Sequence, residues 1–196
     1  MVELMRQTAL ANRAAPDNTS VAIREIANRG MIDLRGLASD RKFMTAAKAV
    51  LGLDLPKAPR TSASFGDIKA LWLSPDQWLI LCNSEKANEL HADLVRELGS
   101  THSLAVNVSD MRSIIRLEGD GVRETLMKGS TLDLTDGTYA PGAVRRLRFA
   151  EIAALLHVVE DNVIDLYVFR SYADYTWEFL VKAARKGAEV RLFSKT

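Results

Sequence analysis

The sequence predicts an α+β fold built from two internally duplicated ferredoxin-like (split β-α-β) halves, and three observations predict it. First, the order strand, Gly, helix, Gly, Leu-Asp-Leu occurs twice, the copies lying roughly eighty residues apart. The first copy runs from Met31 and Leu34 through a helix with Phe43, Ala47 and Val50 to Gly52 and Leu53-Asp54-Leu55. The second runs from Ile114 and Leu117 through a helix with Leu126 to Gly129 and Leu132-Asp133-Leu134. Second, each copy is followed by a two-stranded apolar hairpin and then an amphipathic helix. Third, 47% apolar and 26% charged residues over 196 positions supply enough core for two tightly joined halves. The organisation expected is an N-terminal arm over 1–20, a first half over 21–108 and a second half over 109–196, packed as one unit.

Taken in order, Pro16, Asp17, Asn18, Thr19 and Ser20 read as a polar linker after an arm that is either mobile or ordered against another subunit. Strand material follows at 21–26 and 31–35, then a helix over about 39–51, capped by Ser39 or Asp40 and closed by Gly52. Residues 56–64 read as loop because of Pro56, Pro59 and a Thr-Ser-Ala-Ser run. Strands at 70–73 and 78–82 flank Ser74-Pro75-Asp76-Gln77, where Pro75 fixes φ for a turn. A helix over 84–98 turns Ala87, Leu90, Leu94, Val95 and Leu98 inward and stops at Gly99, and a strand at 102–108 completes the half. The second half repeats this with strands at 114–117, 152–159 and 163–169, helices at 120–128 and 171–186, and a last strand at 189–192.

Catalytic patterns are sparse. His91, His102 and His157 lie far apart with no metal-ligand spacing, His91 reading as the exposed side of its helix and His157 as a strand edge. Cys82, the one cysteine, sits in an apolar run and reads as a buried, unreactive thiol. Gly119-Asp120-Gly121 lacks the third glycine of a phosphate loop and reads as strand-to-helix punctuation. Arg145, Arg146 and Arg148 form the densest basic cluster, but without interleaved aromatics they read as a solvated strand edge or subunit contact, not a nucleic-acid site. A net charge of +1 gives no field that would draw in nucleic acid or an anionic membrane. No stretch reads as a signal peptide or a membrane span, so a reducing cytoplasm is the expected compartment.

Contact surface is the stronger signal. On the last helix Tyr172, Tyr175 and Phe179 form one stripe while Trp177, Leu180, Val181 and Ala184 form another, an arc wider than one sheet face requires. Either the helix is buried all round, or one stripe docks a partner. The candidate interface is therefore Tyr172, Tyr175, Trp177 and Phe179, since large aromatics concentrate at interface centres. Trp72 and Trp78, on either side of the hairpin turn, read as core.

Four segments then carry a resemblance: Leu73-Ser74-Pro75-Asp76-Gln77-Trp78-Leu79, Val108-Ser109-Asp110, Lys128-Gly129 with Leu132-Asp133-Leu134, and Arg170-Ser171-Tyr172-Ala173 with Trp177. In this order and spacing the chain resembles the gamma-subunit family of heterotetrameric sarcosine oxidases. The resemblance implies a bacterial complex of alpha, beta, gamma and delta chains that oxidatively demethylates sarcosine to glycine, giving hydrogen peroxide and methylenetetrahydrofolate. It also implies a fold like the folate-binding domain of aminomethyltransferases. It places FAD, FMN, NAD, zinc and tetrahydrofolate with the partner subunits, leaving this chain without cofactor or catalytic residues and with a role in assembly. The alternative is a stand-alone folate-binding or folate-dependent protein, which needs an apolar cleft between the halves and an acidic residue facing it. A weaker third reading is a self-associating scaffold.

Overall fold

The computed structural model describes residues 7–191. Two five-stranded antiparallel sheets are present, each covered on one face by helices. The first contains β2 (Arg29–Gly36), β3 (Ser62–Phe65), β4 (Ile68–Ser74), β5 (Gln77–Asn83) and β6 (Ser103–Asn107), in the order β3-β4-β5-β2-β6. Its helices are α1 (Arg41–Leu51) and α2 (Ala87–Leu98). The second sheet contains β1 (Ala22–Glu25), β7 (Arg112–Glu118), β8 (Val144–Phe149), β9 (Ile152–Glu160) and β10 (Val163–Phe169), in the order β1-β7-β10-β9-β8. It carries α3 (Val122–Met127) and α4 (Ala173–Ala183).

Local chemistry accounts for the helix limits. Asp40 Oδ1 accepts from the backbone N–H of Lys42 at 2.8 Å and of Phe43 at 3.4 Å, which satisfies donors that the first turn leaves free. Gly52 ends α1 in the left-handed region at φ 69° and returns its N–H to Lys48 O at 2.9 Å. Facing the first sheet, Phe43, Ala47 and Leu51 of α1 and Leu94 and Leu98 of α2 are buried with Ile32, Leu34, Trp78 and Ile80. Val95, expected inward, is half exposed. Gly36 allows the close approach, because a Cβ there would lie 2.4 Å from the Phe43 ring.

The faces without helices pack against each other. Met31, Leu71, Leu79 and Leu81 of the first sheet form one buried cluster with Ile114, Val144, Leu155 and Tyr167 of the second. The layer order is helix, sheet, sheet, helix. The halves are also joined by backbone. Thr61 bridges Ala143, and Val144 N–H donates to Arg60 O at 2.8 Å.

Three elements differ from the sequence reading. The strand expected at 21–26, which opened the first half in that reading, pairs antiparallel with β7 in the second sheet, Ile23 opposite Leu117. It fills the position that a strand at 189–192 was expected to take; residues 189–191 form no strand, and Leu192 lies outside the described residues. The loop expected at 56–64 ends in β3, and β8 takes the equivalent edge in the second half, so each hairpin carries an extra strand. Of the arm at 1–20, residues 1–6 lie outside the described residues. From residue 7 onward it packs on its own chain: Leu10 is buried, Ser20 N–H donates to Ala184 O at 2.7 Å, and Arg13 binds α4.

The placement of β1 predicts that Ile23→Ala costs about 2–5 kcal/mol, the usual range for truncating a buried aliphatic. In native-state hydrogen exchange the loss should speed exchange of β7, nearly ninety residues away, more than that of β2, its neighbour in sequence. Faster exchange confined to β2 would contradict the pairing.

Candidate functional site

The aromatic residues singled out on α4 separate into two environments. Tyr172, in the 3-10 turn before the helix, and Tyr175 are 46% and 42% exposed. Trp177 is 5% exposed and belongs to the core with Leu180 and Phe149, so it is not available to a partner. Phe179 is half-buried and packs edge-on against Phe149 with centroids 5.2 Å apart, over Gly129, where a Cβ would come within 2.7 Å of the Phe149 ring. Beside the two tyrosines Arg13 binds Asp174 at 2.9 Å and Glu178 at 2.6 Å. The acidic edge of α4 is thereby partly neutralised, leaving an exposed aromatic ridge.

A second apolar surface was not read from the sequence. Leu104 and Val106 of β6 are 47% and 39% exposed, and they lie on the inner face of the first sheet, opposite Arg35 and Asp33. Their alternation with Ser103, Ala105 and Asn107 was the available signal. The small residue Ala105 packs beneath the helices, and the second sheet does not extend over the two aliphatic ones.

Between the sheets, charged side chains surround the apolar cluster. Register places Arg116, Asp165 and His157 in one cross-strand row on β7, β10 and β9. Arg116 Nε and Nη2 donate to Asp165 Oδ1 and Oδ2 at 2.6 and 2.9 Å, a two-pronged ion pair whose carboxylate is almost wholly buried. That bond raises the Arg116 pKa. His157 is buried, not at an edge, with Nε2 3.2 Å from Ser62 Oγ. Ser62 gives its own proton to Gly142 O at 3.0 Å, so Nε2 carries the hydrogen and donates. Nδ1 is left a bare acceptor without a partner among the described residues. Burial pushes the His157 pKa down to about 4. Arg112 lies 4.5 Å over the Phe169 ring, and burial lowers its pKa too.

The remaining candidates are inert. Cys82 is buried with its thiol pKa raised by desolvation, which keeps it protonated. His91 is half-buried, its Nε2 3.1 Å from Ala105 O, and His102 is exposed. Among the described residues no three His, Cys, Asp or Glu side chains are placed to hold a metal ion. Gly119 and Gly121 do separate β7 from α3, and Arg145, Arg146 and Arg148 do lie on the edge strand β8. A folate site between the halves needs apolar space and a free carboxylate; Leu71, Leu79 and Leu155 fill the apolar centre, the open end is lined by charged side chains, and Arg116 engages Asp165 there. The residues do not fit a pterin there.

His157 gives a pH dependence with a definite sign. Its folded pKa of about 4 lies below the unfolded 6.5, so the unfolded chain binds more protons in between and stability falls as pH drops through that window. From pH 7 to pH 5 the loss from this group is about 2 kcal/mol. Denaturant unfolding of His157→Gln, which keeps a donor toward Ser62 but does not titrate, should show a correspondingly shallower pH slope; equal slopes would rule the assignment out.

The comparisons with known proteins agree with this architecture. Sarcosine oxidase subunit gamma of Corynebacterium sp. (strain P-1) is 28% identical over 177 residues, covering 89% of this chain and 86% of that protein. The structure of heterotetrameric sarcosine oxidase from Corynebacterium sp. U-96, in complex with pyrrole 2-carboxylate, contains a chain that superposes with a TM-score of 0.85 at 23% identity, covering 95% of this chain and 98% of that one. Glycine cleavage system aminomethyltransferase T from Bartonella henselae shares the fold more distantly, with a TM-score of 0.64 at 11% identity over 84% of this chain and 46% of that one. The model of the "Sarcosine oxidase, gamma subunit family" matches residues 35–186, and the chain belongs to that family.

Proposed function

We propose that this chain is the gamma subunit of a heterotetrameric sarcosine oxidase and acts as a non-catalytic piece that docks and orients the alpha, beta and delta subunits. The observation that carries the reading is the family match over residues 35–186. The geometry supports it, since the centre of the space between the halves is filled by an apolar cluster while Tyr172, Tyr175, Leu104 and Val106 stand exposed. FAD, FMN, NAD, zinc and tetrahydrofolate belong, in this reading, to the partner subunits. The complex would work in the cytoplasm, where the lone Cys82 stays reduced. No helix among the described residues is long and apolar enough to cross a membrane.

Co-expression with alpha, beta and delta chains, followed by size-exclusion chromatography read in the protein and flavin bands, tests the reading. The chain should co-elute with a yellow, sarcosine-oxidising complex. Tyr172→Ala with Tyr175→Ala should weaken its incorporation about tenfold or more, as expected for exposed aromatics at an interface centre. Unchanged assembly and turnover when the chain is omitted would defeat the proposal.

A further inference from the structure

The turn between β1 and β2, where Asn28 adopts φ 56°, lies at one open end of the space between the sheets. Strand alternation sends Arg29 of β2 and Lys69 of β4 to the inner face of the first sheet, the face that carries Met31 and Leu81. Opposite them the second sheet presents Arg116, Asp165 and Tyr167. These groups enclose a cleft of about 420 Å³ whose rim includes Arg24 and Asn28.

Its charge is one-sided. Arg24, Arg29, Lys69 and Arg116 line the cleft against a single carboxylate, Asp165. Arg116 occupies Asp165 with two hydrogen bonds, and Arg24 reaches outward to Glu118 at 2.7 Å. The side chains of Arg29 and Lys69 are left with no hydrogen bond or ion pair among the described residues. Tyr167, 1% exposed, lines the same cleft with a phenol that makes no hydrogen bond among those residues. Two half-buried cations are therefore held in a walled space where the one carboxylate of the lining, Asp165, is already engaged by Arg116, an excess of positive charge that favours an anion. Lys69 registers the deficit: desolvation lowers its pKa, Asp165 and the more distant Glu160 offset this, and Arg116 and Arg29 add to it.

We propose that this cleft binds a small dianion carrying phosphate or carboxylate oxygens, held between Arg29 and Lys69 with the Tyr167 hydroxyl as a further donor. The excess of two unpaired cations sets the ligand charge, and the cleft size limits it to a small molecule. The inference does not rest on the subunit reading, because it concerns a site formed by this chain alone.

Calorimetric titration of inorganic phosphate, and separately of succinate, into the full-length chain at constant ionic strength tests it. At least one probe should bind saturably at one site and raise the melting temperature with concentration. Lys69→Met and Arg29→Gln should each weaken that binding at least tenfold. Arg148→Gln, which disturbs only exposed contacts with Ala150 O and Glu151 on the edge strand β8, should leave it unchanged. Far-ultraviolet circular dichroism confirms that each variant is folded; Lys69→Met removes a charge that burial disfavours and should not unfold the chain. Absence of saturable binding of either probe overturns the proposal, as does equal binding by the wild type and both cleft variants. Loosened subunit assembly in Lys69→Met without phosphate or succinate binding would likewise overturn it, assigning the anion to a partner chain.

Discussion

The contact between the two inner sheet faces is the constraint on which the rest of the structure depends. Each sheet already buries one face under its own helices, so the opposite face must find cover or be polar. Met31, Leu71, Leu79 and Leu81 meet Ile114, Val144, Leu155 and Tyr167, and each buried aliphatic contributes roughly 1.5–3 kcal/mol. The same contact carries Arg116, Asp165 and His157 on the second sheet and Lys69 on the first, whose desolvation opposes that gain. The two-pronged Arg116–Asp165 pair offsets part of the cost and fixes the register of the row, since a slip of one residue would send Asp165 into the helix-facing core. Neutral His157 sits beside it because burial disfavours a charge there by more than Asp165 favours it, and Lys69 and Arg116 add to the penalty.

That constraint explains the exchange of the first strand. A split β-α-β unit needs a strand beside its first, and in the second sheet β1 supplies it from the N-terminal side of the whole chain. Both ends of the described chain then meet on one half: Thr19 bridges Arg185, and Lys186 N–H donates to Asn18 O at 3.2 Å. The second sheet cannot be completed until a loop of about ninety residues closes, and such non-local pairing slows folding more than it weakens the folded state. The chain thereby acts as one body although its sequence divides into two repeats.

The duplication was legible because its punctuation is local. Asp40, Gly52 and the Pro75 turn fix element ends through short-range chemistry, and the recurring Leu-Asp-Leu triplets mark equivalent positions. What was hidden depends on partners far along the chain. Alternation identified residues 21–26 as strand material but says nothing of which sheet they join. β3 was masked by Ser62 and Ser64, whose side chains face the polar part of the space between the sheets. His157 looked like an edge residue, yet β9 is flanked on both sides by β10 and β8. On α4 the wide apolar arc contained both the core side chain Trp177 and the exposed Tyr175, and helical spacing alone cannot say which side faces the sheet.

The two exposed apolar patches stand in different relations to the layers. Leu104 and Val106 lie on an inner sheet face that the second sheet leaves uncovered, so a neighbour seated there would extend that sheet's cover and could pair with the open edge of β6. Tyr172 and Tyr175 lie outside α4, so a neighbour there would add a fifth layer beyond the helix. The first contact requires a flat or extended surface with backbone donors and acceptors; the second requires pockets for two aromatic rings and tolerance of Asp174 and Glu178 beside them. Under the proposed subunit role, surfaces with such different demands would be met by two different neighbours, not by one that covers both.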